Sequence, residues 1–396
     1  MWSNRYVRAI MLSRTLLQLG IWIRNFAVLL YVTDITNNDA WYVSLISVAE
    51  FSPIFLFALI GGTLADRWQP KRTMTVSDLL SGISVAAVLI AVMNGEWIAL
   101  LIGSFVSASL SQLSQPSAMK LYKRHVPEEQ LQGVMAMSQS LVAVFTVLGP
   151  MIGTFVFMQL GIHSSLILTG IMFLGSSVVL ATLPRDEKEA RSGGGVGFMA
   201  ELLAGIRYIG SNASLSALSR AFATAGLAAG MIQPLAIFIV IEKLGLDKHV
   251  LQWFLMANGA AMLAGGMLVM GIARRVKPQA LLAAGLLVSA VCTAGVGASS
   301  IIGLTAALQV ISGLFYPCIQ IGIQTMIMRG TEGAYIGRVS GAITPVFMGM
   351  MVAGMLMSGV LKELLTLTGV YALSGGLLIV GAALLVCKPS SAYTST

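Results

Sequence analysis

Five charged side chains interrupt runs of sequence that are otherwise apolar: Arg14, Arg24, Glu50, Asp78 and Arg220. A charge is costly to hold inside such a run, so each is a candidate for chemistry. Arg24 lies nine residues before the end of the run 9–33, and Glu50 nine residues into the run 41–65. At about 1.5 Å per residue, antiparallel neighbours would place both ~13 Å below the same surface. Two readings stand. They form a fixed buried ion pair, or Glu50 exchanges a proton. Burial penalises its charge and Arg24 favours it, and a group balanced between the two can couple a proton to a change of surroundings. Asp78 is only about a turn into the run 73–94, beside a basic connection. It reads as a lock between helix ends rather than a proton carrier. Arg14 is able to hold an anionic group or to snorkel toward the cytosolic interface, and snorkelling is favoured. Arg220 is balanced between snorkelling and holding an anionic group.

Polar groups able to line a cavity are few: Gln18, Asn25, Gln233, Asn258, Gln309, Gln320 and Gln324. Gln320 and Gln324 are four apart and share a helix face. Trp22, Phe26, Phe222, Trp253, Phe315 and Tyr316 are aromatic companions for them. Such a set suits a mostly apolar pocket with a few polar contacts. No phosphate-binding Gly-x-x-x-x-Gly-Lys loop, zinc-peptidase motif or nucleophile elbow is present. Cys292, Cys318 and Cys387 stand at no metal-ligand spacing, and His125, His163 and His249 lie apart. The cysteines read as small hydrophobes, and no catalytic or metal site is expected.

The elements that must position these residues follow from composition. Of 396 residues, 57% are hydrophobic and 10% charged, with mean hydropathy +0.86. Soluble domains carry about 25% charged residues, so this is a polytopic membrane protein. Apolar runs predict helices over 9–33, 41–65, 73–94, 97–120, 132–159 and 163–183, then 213–241, 250–272, 278–298, 301–327, 336–361 and 366–387. The first run has no cleavage pattern and is expected to be retained. With the N-terminus inside, 18 of 24 Lys and Arg residues fall in cytosolic segments and 3 (Lys243, Lys248, Lys362) in external ones. That asymmetry places both termini in the cytosol. The excess of basic residues is thus a matter of topology, and no nucleic-acid partner is expected.

The longest polar break, 184–212, divides the chain into two halves of six helices. Within it, 198–209 reads as an amphipathic interfacial helix, with Arg207 and Tyr208 at the lipid boundary. The halves agree in register at an offset of about 204 residues, as expected of parallel repeats. Gly61 and Gly62 map on Gly265 and Gly266, each pair before a basic loop, and Gly133 on Gly337. The first of those loops, Gly61-Gly-Thr-Leu-Ala-Asp-Arg-Trp-Gln-Pro-Lys-Arg72, keeps Gly62, Asp66, Arg67, Lys71 and Arg72 at a fixed spacing. Its glycines suit close helix approach, Asp66 a helix start, and its cations lipid phosphate.

This loop resembles the one between the second and third helices of the major facilitator superfamily, with Gln69-Pro70 where the family has a glycine. A second segment, Gly149-Pro150-Met-Ile-Gly153, resembles the helix-five motif of exporter branches, where proline kinks the helix. Val126-Pro-Glu-Glu-Gln-Leu131, Ser138-Gln-Ser-Leu141 and Tyr335-Ile-Gly-Arg-Val339 are similar to segments of macrolide-efflux and enterobactin-exporter type transporters. The resemblance implies an all-α membrane protein: twelve transmembrane helices in two pseudo-twofold related six-helix bundles. These are 1–183 and 213–388, joined by the cytosolic linker 184–212 and followed by a tail, 389–396. It further implies a monomer in the bacterial inner membrane, needing no cofactor beyond a coupling proton. Its action would be rocker-switch antiport, exporting a bulky amphiphile such as a drug or siderophore. In that scheme Glu50 and Arg24 form the coupling pair, and Gly62, Asp66, Arg67, Lys71, Arg72 and Asp78 the cytosolic gate. A lysophospholipid transporter on the same fold is the alternative; a membrane enzyme or receptor fits less well.

Overall fold

No water reaches the backbone at the depth of a bilayer, so each long apolar run must pair its own N–H and C=O groups, and it does so as helix. The computed structural model describes residues 4–65, 69–184, 198–272, 275–332 and 335–386, with side chains for all of these but 58–65, 198–201 and 386. Among the described residues nine helices are long and apolar enough to cross a membrane. They are α1 (Arg5–Ile35), α2 (Ala40–Ala65), α3 (Pro70–Met93), α5 (Glu128–Ala181), α7 (Ala213–Ile232), α9 (Leu251–Ile272), α10 (Pro278–Ala298), α11 (Ile302–Gly330) and α12 (Ile336–Val386). With 54 and 51 residues, α5 and α12 are each too long for one crossing, which takes about 20. Each is two spans. α5 breaks at Gly161 (φ 73°, ψ −177°) and α12 at Thr366 (φ 66°, ψ 165°). The remaining span is α4 (Ala99–His125), whose hydropathy is diluted by serines such as Ser104, Ser107 and Ser114. Twelve spans result. The short helix α6 (Phe198–Ser211) precedes the seventh.

The seventh span departs from the continuous helix expected over 213–241. Pro234 has no N–H to donate, and the chain leaves the helix at its C-cap, Gln233. The Leu235 N–H turns back to Ile232 O at 3.0 Å. The span resumes as α8 (Ala236–Phe238) and a π-helical turn, Ile239–Lys243. Lys362 anchors this turn by pairing with Glu242 and lying 4.0 Å from the centre of the Phe238 ring.

The chain forms two compact units, Met1–Gly195 and Val196–Thr396. Each is built to one internal plan. In the first, α1 packs on α5, α3 on α4 and α5, and α2 on α4. In the second, α7 packs on α12, α10 on α11 and α12, and α9 on α11. The correspondence extends to single residues. Asn4 caps α1 by accepting from Tyr6 N–H and donates from Nδ2 to His125 O at the end of α4 (2.7 Å). Asn212 caps α7 by accepting from Ser214 and Leu215 and donates to Gly330 O at the end of α11 (3.4 Å). One side chain thus starts the first helix of each unit and ties down the end of the fourth.

The amphipathic helix has protein neighbours as well as a polar face. Tyr208 stacks on Tyr335 with ring centres 4.6 Å apart, and its hydroxyl accepts the Glu332 N–H at 3.3 Å. Ile209 is buried in the core of the second unit. Through these contacts Tyr208 docks α6 on the start of α12.

The two breaks differ in cost. Glycine adopts the Gly161 conformation freely, whereas Thr366 puts a β-branched side chain into a region that costs about 1–3 kcal/mol. Its hydroxyl offsets little, accepting the Gly369 N–H at 3.5 Å. Thr366→Gly is therefore expected to raise the melting temperature of the purified protein, with a net gain of about 1 kcal/mol. A fall in melting temperature would place the balance in the cap.

Candidate functional site

Arg24 is 4% exposed in the middle of α1. Its neighbour Asn25 holds it: Asn25 Oδ1 accepts from Nε at 3.1 Å and from Nη2 at 2.8 Å. The third nitrogen, Nη1, is sealed from solvent and has no hydrogen-bond partner. Glu50, on α2, feels the charge of Arg24. Yet its Oε1 is equally sealed and equally without a partner. An orphan donor and an orphan acceptor of opposite charge therefore lie in the same bundle without closing on each other. Unmet hydrogen-bonding capacity of charged groups is costly in an apolar interior, so a pair left open needs a reason beyond stability.

Asp78 is 2% exposed and belongs to a polar chain that the sequence did not disclose. Ser176, on the second limb of α5, donates to Asp78 Oδ2 at 2.6 Å, and its Oγ lies 2.8 Å from Ser13 Oγ on α1. Both serines are fully buried. With Asp78 accepting from Ser176, Ser176 is left to accept from Ser13, which fixes the direction of the chain. Arg14 adds its charge to the same neighbourhood and donates to Gln115 O at 3.4 Å. Asp78 thus ties α3 to α1 and α5, while Arg72 is exposed. Serine is too common for Ser13 and Ser176 to stand out. The one usable signal was that a buried carboxylate demands donors.

Of the loop motif, Asp66 and Arg67 lie outside the described residues, and Gly62 is helical at the end of α2. Lys71 has a defined task. Its ammonium donates to Ala181 O, the last carbonyl of α5, at 3.1 Å and to Leu183 O just past the helix end, where a cation suits the helix dipole. The exporter-like motif is a packing surface in α5. Helical dihedrals run through Pro150, and the interruption falls at Gly161. A Cβ on Gly149 would stand 2.2 Å from the Trp22 ring, and one on Gly153 2.5 Å from Trp22 O. Trp22 and Phe26 stack with centres 5.9 Å apart, and Phe26 is buried. The second unit repeats the contact, where Gly354 meets Leu227 O.

The other predicted cavity residues are spread over several helices. Asn258 donates to Gln309 O at 2.8 Å, joining α9 to α11. Tyr316, Gln320 and Gln324 form an exposed stripe on α11, with Gln320 Nε2 donating to the Tyr316 hydroxyl at 2.8 Å. Arg220 on α7 and Gln233 at its C-cap are exposed, and Arg220 donates back to Ser216 O. Gln18 is half-buried on α1.

The repeat separates scaffold from site. The offset is 204 residues at the glycine pairs and 208 at the Asn4 and Asn212 caps, and over that range Arg24, Glu50 and Asp78 fall against residues 228–232, 254–258 and 282–286, none of them charged. The plan folds without charges at these places, so the first unit carries them for something else.

Twelve membrane-crossing spans in two like-built units, with charges buried in one, define an integral membrane transporter. The model of the Major Facilitator Superfamily matches residues 10–351. The chain belongs to that family. It is 24% identical to the MFS-type transporter YkuC of Bacillus subtilis (strain 168), over 84% of this chain and 79% of the relative. It is also 24% identical to the MFS-type transporter YfiS of the same organism, over 95% and 91%. The fold is shared with the nucleoside transporter NupG (TM-score 0.77, 12% identity, covering 97% of this chain and 99% of that one). A POT family transporter in complex with 5-aminolevulinic acid is similar at the same score and identity, covering 97% and 96%.

Proposed function

We propose that this transporter is a proton-coupled secondary exporter of a bulky amphiphile, working by alternating access of its two units. It acts as a monomer in the bacterial plasma membrane, with both termini in the cytosol. The observation that carries the reading is the open pair, Arg24 Nη1 and Glu50 Oε1, each buried and each without a partner. A proton on Glu50 removes one of the two charges and turns an acceptor into a donor, so its arrival and departure change what the first bundle can bind. That the second unit carries no charge at the matching places supports a role outside the scaffold. Asp78, with Ser176 and Ser13, serves as the lock of the cytosolic ends, together with the loop 62–72.

Inside-out vesicles energised to an acidic interior test this. Adding a transported amphiphile should collapse the gradient when the intact chain is present. Glu50→Gln should slow the collapse about tenfold or more per folded molecule, a normalisation needed because the change leaves Arg24 without its opposite charge. A Glu50→Gln variant that still dissipates the gradient would remove Glu50 from the coupling. Movement of a labelled lysophospholipid without any proton flux would favour the lipid-transporter reading instead.

A further inference from the structure

We infer that a groove within the first unit, between α1 and the first limb of α5, binds amphiphiles that carry an anionic head. It rests on the exporter reading only for its role as a port of entry for cargo.

The two helices are in backbone contact where Gly153 meets Trp22. Nearer their cytosolic ends they part and leave a cavity of about 400 Å³. That volume lies in the range of small-molecule sites, about 300–1,000 Å³. Each wall is one helical stripe with three- and four-residue spacing. Arg8, Met11 and Leu12 come from α1, and Met137, Ser140 and Leu141 from α5.

The chemistry along the groove is graded. Arg8 is in the first turn of α1 and is exposed. Among the described residues its guanidinium makes no ion pair or hydrogen bond, and no acidic side chain lines the groove. Beyond it the walls are methionine and leucine, with the Ser140 hydroxyl as a polar exception. The neighbouring Thr15 spends its hydroxyl on Met11 O at 2.9 Å. A forked, permanently charged donor at one end recognises a carboxylate, sulfonate or phosphate. An apolar channel lined by adaptable methionines accepts tails of varied shape. A neutral or cationic amphiphile would satisfy the walls and leave Arg8 unmatched. Arg8 reads in the sequence as one of many topology-setting cations, and only the groove gives it a partner to seek.

The test uses the full chain in phosphatidylcholine nanodiscs, with a dansyl-labelled undecanoic acid and its uncharged amide as probes. The acid is expected to bind about tenfold more tightly than the amide, a factor worth about 1.4 kcal/mol. Arg8→Gln should erase that preference and leave amide binding unchanged, Arg8→Lys should keep part of it, and Leu141→Trp should weaken both probes. Equal binding of acid and amide by the unaltered protein overturns the inference, as does a preference that survives Arg8→Gln. The melting temperature of each variant identifies any that fail to fold, and Arg8→Lys then carries the comparison. Phosphatidylglycerol doped into the discs distinguishes lipid from cargo. If it displaces the acid and proteoliposomes do not move the acid, the groove is a lipid site and the port of entry is lost. The binding measurements need no proton gradient, so they can fail while the Glu50 coupling stands, and the reverse.

Discussion

Gly265→Ala is expected to destabilise the second unit severely, while the same change one residue later, Gly266→Ala, is expected to be harmless. The two glycines are adjacent in α9, and nothing in their sequence distinguishes them. A Cβ on Gly265 would stand 2.2 Å from Leu314 O and 2.8 Å from its carbonyl carbon, both backbone atoms of α11. Backbone cannot rotate away as a side-chain tip can, so α9 and α11 must separate. The loss should reach about 3 kcal/mol, the upper end of what overpacking costs. A Cβ on Gly266 meets nothing within 4 Å. There alanine brings only its better helix propensity, up to about 1 kcal/mol. Melting curves of the two purified variants decide it. Equal melting temperatures would show that the α9–α11 crossing is not held at backbone contact.

The second large effect concerns the buried charges. Arg24→Met should destabilise the protein by about 3 kcal/mol or more, because Glu50 loses the opposite charge buried near it. Glu50→Gln in the same chain should restore most of that stability, since removing both charges leaves no uncompensated one. The double variant would then be folded and inactive in proton coupling. That outcome separates structure from function in a way neither single change can. Were the double variant no more stable than Arg24→Met alone, the two charges would not be sensing each other across α1 and α2. Asn25 is the reason to keep Arg24→Lys as a further comparison. Its Oδ1 accepts from Nε and Nη2 together, and lysine cannot make that fork.

Much of the fold was legible because a bilayer imposes rules that act locally along the chain. The two halves and their offset were visible in glycine and charge registers, the joint at 161 lies between two predicted spans, and that at 366 falls on the first residue of one. The broken seventh helix was also legible in principle, since Pro234 stands in the middle of its run; the continuous apolar character of 213–241 hid it. The second joint illustrates the opposite case. Where the first unit uses Gly161, the second uses Thr366 in a conformation that a β-branched residue rarely takes, and no propensity argument would have put the bend there. Trp22 and Phe26 were expected beside a cavity. They fill the face of α5 that Gly149 and Gly153 leave open, because an aromatic beside a glycine pair packs tightly whichever chemistry its ring could offer.

By itself, then, the sequence determined the number of spans, the split into two like halves and the placing of Arg24 and Glu50 inside apolar runs. Run length, backbone self-satisfaction and charge placement relative to run ends are properties of contiguous residues. Only the tertiary structure decided that Ser13 and Ser176 complete the surroundings of Asp78, that Lys71 ends α5, that Gly265 and not Gly266 touches a neighbouring backbone, and that Arg8 heads a groove. Each of these depends on atoms a few ångströms apart that belong to residues on different helices. Such distances are set by how whole helices lean and cross, which no local pattern encodes.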